Sequence, residues 1–458
     1  MLSKQPWMTV REDIHWETRQ CMEEGRAVTS DLEAEAKAIK EFAGSPAEAE
    51  QRARTLSEQL SSLPLRDDFP YLEPDELEKI RELRQATKSL QSVNYALLAD
   101  KVYGAWLGRC AGCLLGQPIE CWMRDRIEGL LKDTGNYPLS DYIRSDIGPE
   151  IRDRWNVRDE GLVYGGRQIN WINNVAYMPE DDDTNYTILA LRLLEVYGPN
   201  FTSEDVGEMW LNCLPLLHVC TAERVAYINL CSMILPPNSA QKHNPYREWI
   251  GAQIRGDLFG YVCPGHPEKA AEFAWRDARI SHVKNGIYGE MFVSSMLAAA
   301  AVTDNIPEII RQGLGQIPKT SRLYHSIVEV ITLYERGENV SSAIELVLSR
   351  YDERCQHDWC HTISNAMLVT IALLYGEKDF EKTICLAVSM GFDTDCNGAT
   401  AGSILGLVLG AKALPEKWIA PLHDTIYSGV DGVGKAAISE LARKTVALIP
   451  KVMNEVEP

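Results

Sequence analysis

Apolar positions along the chain recur with the spacing of helices rather than strands. In Tyr186 to Tyr197, Ser326 to Tyr334 and Thr362 to Tyr375 they return every three or four residues, which lays an apolar stripe along one side of a helix. Alternating runs bounded by turns are scarce. The pattern predicts an all-α main body, a helical bundle closed by helix–helix packing. Ahead of it, Thr29 to Leu60 is rich in Ala and Glu at helical spacing and carries a Ser45-Pro46 helix start, so this stretch reads as two helices. The Pro-rich SSLPLRDDFPYLEPDEL follows, and then a further helix leading into Ala96. The expected division is an N-terminal helical extension over residues 1–95 and a main domain over 96–458.

Two segments break the ordinary helical pattern, because glycine returns every fourth residue: Gly104, Gly108, Gly112, Gly116, and again Gly398, Gly402, Gly406, Gly410. Each glycine inside a helix costs about 1 kcal/mol relative to alanine, so eight of them need a compensating gain. Spacing by four leaves one helix face bare, where another backbone can come close. The residues between (Trp106, Leu107, Leu114, Leu115, Ile404, Leu405, Leu407, Val408) are apolar, which favours helices over turns. The two stripes are expected to pack on each other, bringing Glu120, just past one helix, to Asp393 and Asp395, at the start of the other.

Carboxylates gather at two helix starts. Glu180-Asp181-Asp182-Asp183-Thr184 precedes the helix that ends at Gly198, and Gly391-Phe392-Asp393-Thr394-Asp395-Cys396-Asn397-Gly398 opens the second glycine helix. One acid suffices to cap a helix. A run of four repels itself, and a hard cation with its preference for oxygen ligands would relieve that. A solvated acidic turn is the bland alternative for the first run. Asp-x-Asp after an apolar stretch also occurs in the haloacid-dehalogenase phosphotransferase loop, but that reading needs a buried strand and a doubly wound sheet, which the helical pattern denies.

With these residues in place, the sequence resembles the ADP-ribosylglycohydrolase family. KVYGAWLGRCAGCLLGQPIE resembles the family's first glycine-rich helix, ending in a metal-site glutamate, here Glu120. DDDTNYTILALRLLE resembles its Asp-Asp-Thr motif, and ARISHVKNGIYGEMF its middle segment, whose histidine, here His282, lies by the substrate. GFDTDCNGATAGSILGLVLGAKALPEKW resembles its C-terminal Gly-Asp-Thr-Asp motif and Pro-x-x-Trp ending. The four follow the family's order across about residues 98 to 450. The resemblance implies an ADP-ribosylglycohydrolase-like helical bundle that cleaves the glycosidic bond between a ribosyl group, such as ADP-ribose, and its acceptor. A small-molecule N-ribosidase and a catalytically inactive ADP-ribose-binding relative are the alternatives. It further implies two Mg²⁺ or Mn²⁺ ions held by Asp182, Asp183, Asp393 and Asp395, with Asp181 and Cys396 at the same positions. Glu120, Asp183 and Asp393 become the catalytic candidates, and His282, Asn285, Gly391 and Asn397 those for binding substrate.

The chain departs from the family pattern at several points. Asp181 stands where Thr or Ser is frequent, and Cys396 where Thr or Ser is usual. Gly112-Cys113 replaces the family's Gly-Asp. A neutral thiol is a poor ligand for a hard ion, so one ion is expected to be weakened, shifted or ligated by Asp181 instead. The segment between Glu120 and Asp181 is long, and this insert bears on the leaving group. Elsewhere, Cys355, His357, Asp358, Cys360 and His361 suggest a zinc knot but lack a second matched pair. Cys110 and Cys113 form a CxxC inside an apolar helix, where buried thiols are ordinary. GAQIRGDLFGYVCPGHP, from Gly251, is spaced like a phosphate-cradling loop and equally like a structural one.

Charge and composition narrow the partners. A formal net charge of −19 opposes phosphate backbones and anionic lipid, and no basic run offsets it, so neither nucleic acid nor membrane is expected. The apolar runs Met291 to Val302 and Ala366 to Tyr375 fall short of the roughly 20 residues that span a bilayer. No basic region followed by an apolar stretch opens the chain, and twelve cysteines sit mostly within apolar segments. A reducing cytoplasm is the expected location, in which the sequons at Asn185, Asn200 and Asn339 carry no meaning. The expected partner is an ADP-ribosylated protein or a small ribosyl compound.

Overall fold

The computed structural model describes residues 5–163 and 166–454. Its centre is the pair of glycine helices, Tyr95–Gly116 and Thr394–Leu409, which make the most extensive contact between any two elements. The pairing is antiparallel and bare backbone meets bare backbone. A Cβ added at Gly104 would lie 2.4 Å from the carbonyl oxygen of Gly406, one at Gly108 2.1 Å from that of Gly402, and one at Gly112 1.9 Å from that of Gly398. The reciprocal distances from Gly398, Gly402 and Gly406 are 2.3, 2.2 and 2.2 Å. No side chain fits in this seam, so the helix propensity lost at each glycine is offset by close dispersion and Cα–H···O contacts. Gly410 departs from the stripe: it lies just past the helix with φ +80°, a left-handed cap that favours glycine.

Helices surround this pair on all sides. Thr362–Tyr375 and Phe380–Ser389 pack along the second glycine helix, Ile438–Asn454 along the first, and Lys284–Ala300, buried at nearly every position, closes the core from another side. The helix predicted from Met291 is thus the C-terminal part of a longer one. Strand is confined, among the described residues, to two antiparallel pairs: Glu160–Val163 with Gly166–Gln168, and Thr425–Tyr427 with Lys435–Ala437. The all-α expectation is met. No helix of the described residues is long and apolar enough to cross a membrane.

The N-terminal segment contains the two predicted helices, Ser30–Lys40 and Pro46–Ser61, and one not foreseen, Val10–Glu23. The three enclose a small core of their own (Ile14, Cys21, Leu32, Ile39, Leu56, Leu60). Val10–Glu23 then meets the main body through buried charge. Glu24 accepts from Arg247 Nε at 2.6 Å and Lys284 Nζ at 2.9 Å, and Glu17 from Arg247 Nη1 at 2.8 Å. Further along, Glu73 pairs with Arg322 at 2.8 Å. Of the further helix predicted ahead of Ala96, only the short Leu77–Glu82 forms, and irregular chain leads from it to Asn94, which caps the first glycine helix.

Candidate active site

The antiparallel seam sets the C-terminus of the first glycine helix beside the N-terminus of the second. Thr394 Oγ1 donates to the carbonyl of Gly116 at 3.0 Å, tying the two ends. A third helix start arrives from Asp182–Tyr197, whose N-cap is Asp181, accepting from Asp183 N at 3.0 Å. Three chain segments far apart in sequence thereby deliver their acids to one place. Ligating atoms of Asp181, Asp183, Asp395 and Cys113 all lie within 4.8 Å of one another, and so do those of Asp393, Asp395 and Cys396. Asp181, Asp183, Asp393 and Asp395 are buried, Asp182 is half-buried, and Glu120 stands open to solvent at the rim.

Burial and mutual repulsion dominate the electrostatics. Burial first, then neighbouring carboxylates, push Asp182 and Asp395 well above the usual carboxylate range. Burial raises Asp393 to about 6. Burial also raises Cys113 and Cys396 far above an ordinary thiol, helped by the carboxylates around them. One cation faces the cluster from inside. Arg109, fully buried, reaches Asp183 Oδ1 at 2.9 Å and Asp257 Oδ2 at 2.9 Å, and its Nη2 also donates to the Asp183 carbonyl at 2.7 Å. Arg109 was not singled out from the sequence, though an arginine in the middle of an apolar glycine helix is itself the signal of a buried ion pair. Even so, Asp183 Oδ2 and Asp395 Oδ1 are buried with no hydrogen-bond partner among the described residues. Left unmet, such oxygens cost about 1–3 kcal/mol each or more, so their arrangement points to a cation.

At this point the comparisons decide the family. The family model for ADP-ribosylglycohydrolase matches residues 94–454. The chain belongs to the ADP-ribosylglycohydrolase family. Membership gives its activity class, glycosidic hydrolysis of the ADP-ribosylglycohydrolase type. The comparison with curated proteins gives no match. Among solved structures, an ADP-ribosylglycohydrolase-related protein complex aligns over 78% of this chain and all of its own, at 17% identity and a TM-score of 0.45.

In this ADP-ribosylglycohydrolase fold the substrate-binding candidates divide. Asn397 belongs to the cluster, its Nδ2 held by Asn365 Oδ1 at 2.8 Å; the same oxygen accepts from Asp393 N at 3.3 Å, so Asn365, unremarked in the sequence, orients both. Gly391 turns the chain into the second glycine helix at φ +76°. His282, expected on a helix, lies just before Lys284–Ala300 and is buried; its Nδ1 bonds Ser281 Oγ at 2.8 Å, and burial with Arg255 nearby keeps it neutral. It stands in the ionic network of Arg255 with Glu223, Asp277 and Glu290, not among the acidic pairs. Asn285 has its polar atoms taken up: Nδ2 donates to Glu73 and Glu248, each at 2.8 Å, and Oδ1 accepts from Leu323 N at 3.0 Å. Asn285 thus ties elements together, whereas the Nδ1 bond of His282 stays with its neighbour Ser281.

The remaining motifs sort themselves structurally. The segment from Gly251 is buried and packs its glycines on Lys284–Ala300, with a Cβ at Gly260 meeting Leu297 at 2.4 Å, so it acts as a structural turn. The zinc-knot residues separate. Cys360 turns its Sγ to Asp393 Oδ2 at 3.9 Å, while His357 and His361 face Glu23. Ligating atoms of Glu23, His357 and His361 lie within 4.8 Å of one another. His357 Nδ1 accepts from Trp249 Nε1–H at 3.1 Å and His361 Nδ1 from Ile363 N–H at 3.1 Å, so each ring carries its proton on the Nε2 turned to Glu23.

The long insert, residues 121–180, reaches Asp181 through a relay. Asn170 Nδ2 donates to Gln117 Oε1 at 3.0 Å, and Gln117 Nε2 donates to Asp181 Oδ2 at 2.7 Å.

Proposed function

We propose that the protein releases ADP-ribose, or a related ribosyl group, from a glycoside in a reaction that depends on divalent metal. The observation that carries this is the convergence of Asp181, Asp183, Asp393 and Asp395 from separate helix starts, with Asp183 Oδ2 and Asp395 Oδ1 buried and without a hydrogen-bond partner among the described residues. Asp181, Asp182, Asp183, Asp393 and Asp395 would hold the metal, joined by Cys396. When bound, divalent ions supply positive charge that orients ribose hydroxyls and stabilises developing negative charge.

The chain's own residues do the rest. Departure of the acceptor leaves an oxocarbenium-like sugar, and a carboxylate close to the anomeric carbon stabilises it while water is deprotonated for attack. Glu120 suits the proton transfer, because it alone of the cluster's acids stands open to solvent at the rim, where water and the acceptor can reach it. Asp183 is tied to Arg109 and serves as a fixed charge; Asp393 sits between these roles. Asn365 and Gln117 position Asp393, Asn397 and Asp181. The insert borders the site through Asn170 and would shape the acceptor side. Residues 1–95 form in this reading an extension that buttresses the body from outside the acidic site.

The test is an assay of ADP-ribosylated arginine and serine peptides and free nucleosides, each with Mg²⁺ or Mn²⁺. Turnover of modified peptides is expected, and turnover of free nucleosides alone would assign an N-ribosidase. Inactivity across the panel in folded, metal-loaded protein would overturn the hydrolase reading in favour of a binding relative.

A further inference from the structure

Resting on the reading of the acidic cluster as a metal site, a further property follows from what stands among the carboxylates. Cys113 Sγ lies within 4.8 Å of ligating atoms of Asp181, Asp183 and Asp395, and Cys396 Sγ equally close to those of Asp393 and Asp395. Both thiols are buried, so neither is a bystander at the rim. Asp395 belongs to both groups. One group offers four protein donors and the other three, the second lying on the side of Glu120 and Cys360. Asp183 Oδ2 and Asp395 Oδ1, buried and unpartnered among the described residues, show that the cluster is built around something other than its own hydrogen bonds.

We propose that Cys113 and Cys396 are metal ligands, and that this site takes a borderline, thiophilic divalent ion of the zinc, cobalt(II) or iron(II) class in preference to magnesium. Magnesium wants oxygen in near-ideal octahedral array and gives up water reluctantly, whereas sulfur beside oxygen selects zinc and its neighbours in the first transition row. Size agrees. Ligands on a four-coordinate zinc stand about 3.3–3.7 Å apart, given Zn–O near 2.1 Å and Zn–S near 2.3 Å, so the cluster needs only a small contraction. On coordination the sulfur lone pair forms the metal–sulfur bond and the thiol proton passes to solvent, one proton per cysteine bound. Cys113 and Cys396, two of the departures from the family pattern, then act together rather than as separate defects.

The experiment uses the full chain, stripped with a chelator and titrated with Co²⁺ at neutral pH while near-ultraviolet absorption and binding heat are recorded. A sulfur-to-cobalt charge-transfer band that grows with the first equivalents and is bleached by Zn²⁺, but not by millimolar Mg²⁺, is expected. Cys113→Ser and Cys396→Ser should each weaken the band, and the double variant should lose it while still binding Mn²⁺. Its preference for Zn²⁺ over Mn²⁺ should fall by at least about 10-fold. Co²⁺ binding without the band, or a band that survives in the double variant, would overturn the proposal and leave the metal reading intact. Failure of the folded wild-type chain to bind Co²⁺, Mn²⁺ and Mg²⁺ alike would remove the metal reading, and this proposal with it.

Discussion

The protein buries acidic residues in two places and treats them in opposite ways. Where the N-terminal helices meet the body, three carboxylates meet cations or histidines: Glu24 has Arg247 and Lys284, Glu23 has Arg19, His357 and His361, and Glu248 has Arg322. These pairings hold Glu23, Glu24 and Glu248 below the ordinary carboxylate range in spite of burial. At the junction of the glycine helices, Arg109 faces Asp183 while the other acids crowd one another, and burial lifts them above that range. Matched charges join two parts of a chain. Charges packed against like charges hold repulsion in reserve for an ion that arrives from outside.

The contrast is sharpest where removing a carboxylate has opposite effects on stability. Glu120→Gln and Asp395→Asn are expected to lower activity by about 10²–10⁴-fold. In metal-free protein Asp395→Asn should nonetheless raise the melting temperature, because it removes a member of a repelling set. Glu24→Ala should instead leave Arg247 and Lys284 short of their partner and cost about 3–5 kcal/mol, read by urea unfolding. A lowered melting temperature in metal-free Asp395→Asn would erase the distinction between the regions.

How much of this was legible in the sequence follows the same division. The glycine stripes disclosed their own pairing, because a face without side chains at a spacing of four has one economical use, and the site followed from which acids stood at the stripe ends. Acids at helix starts are local signals. The N-terminal interface was opaque, since nothing in the spacing of Glu17, Glu23 and Glu24 tells that Arg247 and His357 lie across from them more than two hundred residues later. Arg109 was hidden for a related reason: its partners Asp183 and Asp257 come from other elements. His282 and Asn285 drew attention as polar residues by a buried helix, a description that fits a structural tie and a binding group alike; Asn285 donates to Glu73 and Glu248, and His282 Nδ1 bonds Ser281.

The seam itself supplies the next test. At Gly112 even a methyl group would sit 1.9 Å from the carbonyl oxygen of Gly398, and backbone cannot yield as a side chain tip can. Gly112→Ala should therefore cost about 1–3 kcal/mol by overpacking, although alanine is the better helix former. Metal affinity should fall as well, because one of the displaced helices carries Cys113 and the other Asp395. Gly337→Ala, at a turn with nothing within 4 Å but φ +75°, provides a control in which strain arises without any shift of the site. Equal metal affinity in the two variants would separate the seam from the site.

The smallest effect expected concerns acid and the N-terminal interface. Burial lowers His361 from 6.5 to about 4. Between those values the unfolded chain binds a proton that the native chain refuses, so stability rises with pH across the window and is lost as pH falls through it. Glu23 and Glu24, depressed in the native state, act in the same sense lower down, below their unfolded value. Other groups pull the opposite way: burial raises Asp13 and Asp75 to about 6, and the site acids are raised too, so the native chain takes up their protons first on acidification. The whole-protein curve is a composite, and a difference isolates the histidine. His361→Asn keeps an acceptor for Ile363 N at the start of Thr362–Tyr375, since asparagine is as good a cap, but it cannot titrate. Stability measured by urea unfolding at pH 7 and pH 4.5 should drop by about 1–3 kcal/mol less in the variant than in the wild type. Parallel losses in the two proteins would mean that His361 does not hold its burial in the native state, and that Glu23 is left with Arg19 and His357.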